Sequence, residues 1–330
     1  MVTMTTLVHI VPTFNVATSA QYIAENSDHV SINYFNIKTL AQEWKDLDWS
    51  IESSFDEWKQ PLHPFDLANE EEKLNWILLI DILNFSFFGD EGVTQYTVDG
   101  YTGYWSLCAA LKRAYRNGIP ITSPAQWPSI NWKSVFESDN ETPIPLYKDR
   151  INNILTTSEV LISKYDGSFS KFVVVAAASC QNFLRSLYDD FPHFRDTGTF
   201  KEQSIYIMKR AQILVADIWA AFEGKGLGKF FDIETITMFA DYRVPQSLAA
   251  LGMIEYDNFT LKRIENEIEH NDPLEIEIRG NSIHSVEVLK GYLQELGVIA
   301  TSITLDFYLW KYAKTRKLDI PIHKTRCIYY

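Results

Sequence analysis

The sequence predicts a mainly α-helical protein with a few short strands. Apolar residues recur at steps of three and four through most of the chain, and extended candidates are few. Hydrophobic residues fill 46% and aromatics 14% of the 330 positions, more than disordered chains carry, so a packed core is expected.

His29 to Asn33 is the first extended candidate, short and bounded by turn residues. Glu70 to Phe85 places Leu74, Ile77, Leu78, Ile82 and Phe85 at steps of one, three and four. That spacing predicts an amphipathic helix, opened by Glu70, Glu71 and Glu72 at the positive end of its dipole. Thr94 to Val98 is the second extended candidate. Tyr104 to Arg116 reads as a helix that ends in Asn117-Gly118-Ile119-Pro120, because glycine suits the position after a helix and proline cannot continue it. Further helices are expected over Leu146 to Ile162, Phe172 to Leu187, Lys201 to Phe222, Ser282 to Glu295 and Ile303 to Lys314. Glu223 to Lys229, with three glycines following a helix rather than a strand, reads as a turn and not as a phosphate loop.

The chain is expected to form one compact unit over 1–330. The proline-rich stretch 122–145, holding Pro124, Pro128, Pro143 and Pro145, is where a division into 1–121 and 146–330 would fall. Thirty basic against forty-three acidic residues give a net charge of −13, the wrong sign for wrapping a phosphate backbone. Cys108, Cys180 and Cys327 are odd in number and far apart, which fits a reducing compartment. Met1 to Thr18 lacks the charged and apolar pattern of a signal peptide, and no apolar run is long enough to span a bilayer. A cytoplasmic location is expected, with the nucleus left open.

Common catalytic motifs are absent: no nucleotide-binding glycine loop, no serine elbow, no His-Glu-x-x-His, no dinucleotide fingerprint. The seven histidines lack ligand spacing, so neither metal nor cofactor is expected. What remains is two carboxylates. Asp241, in Met238-Phe239-Ala240-Asp241-Tyr242-Arg243-Val244-Pro245-Gln246, stands beside a helix-limiting proline, where it either faces a cleft or caps a helix running to about Leu251. Asp306 sits inside the apolar helix Ile303-Thr304-Leu305-Asp306-Phe307-Tyr308-Leu309-Trp310, where an acid is costly unless paired, hydrogen-bonded or used. His63 lies between Pro61 and Pro64, and Lys209 and Arg243 are cations suited to one phosphate.

Long strings of this chain resemble the queuosine salvage protein family, the queuosine 5′-phosphate N-glycosylases. They include Lys209-Arg210-Ala211-Gln212-Ile213-Leu214-Val215-Ala216-Asp217, the Met238 to Gln246 segment, Leu83-Asn84-Phe85-Ser86-Phe87, Gly103 to Ala110, Gly118 to Ser123 and Arg326-Cys327-Ile328-Tyr329-Tyr330. The resemblance implies a helical fold like that of helix-hairpin-helix DNA glycosylases, and hydrolysis of queuosine 5′-phosphate to queuine and ribose 5-phosphate. The freed base would return to the wobble position of tRNA through a separate tRNA-guanine transglycosylase, with no direct contact implied. It also implies Asp306 as nucleophile or transition-state stabiliser, and Phe239, Asp241, Phe307, His63 and Met238 around the base. At Lys311 the chain departs from relatives that carry a second acid. Two other readings stay open at this point: a glycosylase acting on a nucleic-acid polymer, and a non-catalytic queuine-binding protein.

Overall fold

The computed structural model describes residues 14–330, apart from 68, 91 and 177; most of the stretch read for a signal peptide lies outside these. In chain order the elements are α1 (Val16–Asn26), β1 (Val30–Ile32), α2 (Tyr34–Trp44), α3 (Ile51–Trp58), α4 (Glu70–Ile82), β2 (Thr97–Val98), β3 (Tyr101–Thr102) and α5 (Tyr104–Arg116). There follow α6 (Trp132–Val135), α7 (Tyr147–Tyr165), α8 (Phe169–Val175), α9 (Cys180–Asp190), β4 (Thr197–Phe200), β5 (Gln203–Tyr206) and α10 (Lys209–Ala221). The last are α11 (Val244–Ala250), β6 (Ile254–Tyr256), α12 (Asn258–Arg263), α13 (Pro273–Glu295) and α14 (Ser302–Thr315). The protein is mainly helical. The strands pair antiparallel as β1 with β6, β2 with β3 and β4 with β5.

The helix α13 forms one axis of the packing, against α1, α2 and α14. Gly280 makes its approach to α1 feasible: a Cβ there would stand 2.4 Å from Ile23 Cγ2, inside van der Waals contact. A second axis is α10, which lies against α3, α4 and α9. The helix α4 departs from the amphipathic expectation, since every residue from Leu74 to Ile82 is buried. Its unbroken Trp76 to Ile80 run covers all sides, and the helix sits between α10 and the α7–α8 pair.

Two other expectations change. Phe172 to Leu187 is not one helix: Ala178 takes a left-handed φ of 58°, and the Ser179 side chain accepts the Asn182 N–H to start α9 afresh. Lys201 to Phe222 begins as β5, paired with β4, and becomes helical only after Met208, whose φ is 56°. Glu223 to Lys229 is a turn between elements, closed by a short 3-10 segment at Gly226–Gly228. Among the described residues no helix is long and apolar enough to cross a membrane.

Candidate active site

A cavity of about 800 Å3 opens where α10, α14, the end of α3 and the start of α5 meet. The helix α10 contributes Lys209, Ile213 and Asp217, which share one face because they lie four residues apart. From α14 come Asp306, Phe307 and Trp310, and from the segment before α11 come Phe239, Asp241 and Arg243. Trp58, His63, Tyr104, Asn84 and Phe87 close the remaining sides.

Buried arginines hold these segments in place. Arg279, fully buried, donates to both Asp196 oxygens at 3.0 and 2.6 Å, to Glu275 at 3.0 Å, and through Nε to the Ala240 carbonyl at 2.9 Å. Asp196 in turn accepts the Lys209 backbone N–H at 3.0 Å. A single guanidinium thereby fixes both the start of α10 and the residue before Asp241. Arg150 donates to the carbonyls of Leu83, Phe85 and Ser86, and Arg210 to those of Asp81, Ile82 and His193. These bonds set the turn that carries Asn84 and Phe87 to the cavity, and they satisfy carbonyls that α4 leaves free at its end.

Asp306 is 4% exposed, and its Oδ1 accepts the Phe239 N–H at 2.9 Å. Burial pushes its carboxyl well above the ordinary range and nearby Asp241 adds to this, while the Phe239 N–H and Lys209 pull the other way. Asp241 has two functions in the geometry. Its Oδ1 accepts the N–H groups of Arg243 at 2.7 Å and Val244 at 2.8 Å, so it caps α11, and its side chain also borders the cavity. Helix cap and cleft residue, weighed in the sequence as alternatives, coexist.

His63 is 6% exposed, buried despite the prolines on either side of it. Its Nδ1 lies 2.6 Å from the Trp58 carbonyl, which can only accept, so Nδ1 carries the proton. Nε2 then accepts from the Tyr104 hydroxyl at 2.9 Å. Burial lowers the imidazole pKa to about 4, so His63 meets the cavity as a neutral ring at physiological pH.

Lys209 is buried, with Nζ 3.4 Å from the Asn84 carbonyl. Burial lowers its pKa, while Asp241, Asp81 and Asp306 resist that loss. Such company disfavours a phosphate, so the phosphate role read from the sequence does not suit Lys209. Arg243 is placed better: it bonds Gln246 at 3.2 Å and lies beside Lys314, whose ammonium sits over Trp310. Desolvation and the Arg243 guanidinium together hold Lys314 below its usual pKa, the mark of two cations facing one space. Met238 is fully buried in the hydrophobic core and does not line the cavity. The preceding Thr237 donates its backbone N–H to Gln212 Oε1 at 3.0 Å, which ties this segment to α10. Lys311, at the rim, pairs with Glu57 at 2.5 Å.

Sequence reasoning missed Asp217, Tyr104, Trp58 and Lys314. The spacing of Asp217 from Lys209, eight residues, was the available signal for the first. The spacing of Lys314 from Asp306 was the same signal for the last.

The chain matches the sequence model of a family described as queuosine salvage protein over residues 62–330. It is 40% identical to a Schizosaccharomyces pombe protein over 94% of this chain and 98% of that one. It is 39% identical to a mouse protein over 94% and 97%, and 32% identical to one from Sphaerobacter thermophilus over 96% and 97%. All three bear the name queuosine 5′-phosphate N-glycosylase/hydrolase. With a family model covering most of its length and relatives matched nearly end to end, this chain belongs to the queuosine salvage protein family.

Proposed function

We propose that the protein hydrolyses the N-glycosidic bond of queuosine 5′-phosphate, releasing queuine and ribose 5-phosphate for salvage of the base into tRNA. The observation that carries this reading is near full-length similarity to proteins bearing that activity in their name, joined to a cavity in which Asp306 and Asp241 face one space.

Breaking the bond puts positive charge on the ribose and negative charge on the base. Burial disfavours the ionised form of Asp306. A positive charge developing at C1′ removes that penalty, so its carboxylate is stabilised most in the transition state, the condition for rate enhancement. Phe239 and Phe307 pack on the base, Asp241 presents its second oxygen to the base's polar edge, and neutral His63 completes the wall without adding charge. Arg243 and Lys314 take the 5′-phosphate, whose binding positions the sugar. This reading treats the helices around the cavity as the framework of a helix-hairpin-helix DNA glycosylase, supported by an acid, Asp306, on a helix that lines the cavity.

Incubation of the purified protein with queuosine 5′-phosphate, followed by mass spectrometry, tests the proposal. Queuine and ribose 5-phosphate in equal amounts are expected. Unchanged substrate, with queuine bound tightly but never produced, would leave a binding protein instead.

A further inference from the structure

We propose that Asp217 is the acid that protonates the departing base, a role that rests on the glycosidase reading above. A deazapurine leaves poorly as an anion. Its glycosidic nitrogen is pyrrole-like, and carbon replaces the N7 that purine glycosidases protonate. A proton must therefore reach a different ring nitrogen, and some group at the cavity must hold it beforehand.

The acids lining the cavity are Glu57, Asp90, Asp217, Asp241 and Asp306 among the described residues. Four of them are committed elsewhere. Glu57 pairs with Lys311 at 2.5 Å and Asp90 with Arg326 at 2.6 Å. Asp241 accepts two backbone N–H groups as the cap of α11, and Asp306, which accepts that of Phe239, is already assigned to the charge at C1′ and to the attacking water. His63 has both ring nitrogens engaged. Tyr104 donates its proton to His63 and, being buried, keeps a pKa well above 10.

Asp217 differs from all of these. It is 6% exposed on the cavity face of α10, beside Trp58, and among the described residues no ion pair or backbone N–H engages its carboxyl. Behind it on α4 lies Asp81, fully buried, with neither carboxyl oxygen hydrogen-bonded. Two acids adjoining in a dry interior cannot both ionise, so protons are retained there. The other titratable groups facing the pair are Lys209 on α10, Tyr104 and Cys108 on α5, and Asp306 on α14. Lys209 and, on the Asp81 side, Arg210 favour ionisation; Lys209 is shared with Asp241, Asp81 and Asp306, and the Arg210 guanidinium is bound to the carbonyls of Asp81, Ile82 and His193. Burial holds Asp217 above the usual carboxylate range.

The step balances as follows. The C1′–N9 bond breaks and its electron pair enters the base. The Asp217 carboxyl gives its proton to N3, and the neutral base shifts to the N9–H tautomer after release. Water adds its oxygen to C1′ and loses one proton to Asp306, from which it passes to solvent, and Asp217 recovers a proton from solvent. One water is consumed.

The test compares wild type and Asp217→Asn from pH 5 to 10 on two substrates, queuosine 5′-phosphate and 4-nitrophenyl ribofuranoside 5-phosphate. The second has a leaving group that departs as an anion without help. On queuosine 5′-phosphate, kcat/KM of the wild type should fall as pH rises through the Asp217 pKa. The variant should be slower by about 10²- to 10⁴-fold, the usual span for a general acid, and should lack that limb. On the nitrophenyl substrate the variant should stay within a few-fold of wild type. Equal losses on both substrates, or a natural-substrate rate within threefold of wild type, would overturn the proposal. Should Asp217→Asn fail to fold, the wild type decides alone: its high-pH limb must appear with the deazapurine and vanish with nitrophenol, and the same limb on both refutes the role. A wild type that releases no queuine sinks the glycosidase reading itself, a result distinct from active wild type with an indifferent variant.

Discussion

Asp306 Oδ1 accepts the backbone N–H of Phe239 at 2.9 Å, which joins the acid of α14 to the loop whose Phe239 lines the same cavity. Asp306→Asn retains an oxygen for that bond, so the fold should persist while the charge is lost. Queuine release should fall by about 10²-fold or more, the scale for a principal electrostatic contributor. The same variant should be more stable than wild type at neutral pH. A carboxyl whose pKa is raised on folding stabilises the fold below the unfolded value of about 4, and that contribution is lost as pH rises through the folded pKa. The melting temperature gain of Asp306→Asn should therefore be absent near pH 4 and grow toward pH 8. A variant less stable than wild type at pH 8 would contradict this.

Asp241 combines cap and contact, and two substitutions separate them. Asp241→Asn keeps an acceptor for the Arg243 and Val244 N–H groups but removes the charge. It should melt near wild type and bind queuine more weakly by calorimetry. Asp241→Ala should weaken queuine binding and also lose about 1 kcal/mol of stability, the typical worth of a helix cap. Equal queuine affinity in wild type and both variants would remove Asp241 from base recognition.

The sequence disclosed what depends on local pattern. The bounds of α5 were legible because Gly103 and Asn117-Gly118 punctuate a regular apolar stripe, and Asp306 was legible because an acid among Ile303, Leu309 and Trp310 needs a reason. Features fixed by distant partners were hidden. The strand β5 is a different case: Ile205 and Ile207 alternate at strand spacing, and the hairpin with β4 turns locally at Lys201 and Glu202, a signal hidden by reading the apolar run from Lys201 onward as one helix. The burial of His63 depends on Tyr104, forty-one residues on. Asp217 is one polar residue in the Lys209 to Asp217 string, and only the fold brings Asp81, from another helix, beside it.

Arg243 and Lys314 predict a substrate-dependent defect. Losing a charge-assisted hydrogen bond costs about 1.5–3 kcal/mol, roughly 10- to 100-fold in binding. Lys314→Met and Arg243→Gln should each lower kcat/KM for queuosine 5′-phosphate on that scale and scarcely change it for the nucleoside queuosine. Lys209→Met should instead harm both substrates alike, since its ammonium lies among Asp81, Asp241 and Asp306. A defect in Lys314→Met that is equal for nucleotide and nucleoside would assign the phosphate elsewhere.

Arg279 touches no substrate-lining atom of its own, yet it should control the site. Its guanidinium pairs with Asp196, which receives the Lys209 N–H, and its Nε holds the Ala240 carbonyl beside Asp241. The Tyr330 ring covers it at 4.0 Å from the centroid, which excludes water and strengthens the charges beneath. Arg279→Met leaves Asp196 and Glu275 buried without their cation. Breaking such a pair from one side costs about 3–5 kcal/mol, because the remaining charge cannot be solvated. Arg279→Lys keeps the charge but cannot reach Asp196, Glu275 and the Ala240 carbonyl together, since an ammonium lacks the planar fork. It should therefore recover part of the stability while kcat stays low, because the Lys209 and Asp241 backbones are no longer fixed to each other. Chemical denaturation and queuine release measured on the same preparations separate the two effects. If Arg279→Lys restores stability and kcat in parallel, charge alone suffices and the three-point clamp is not what orders the site.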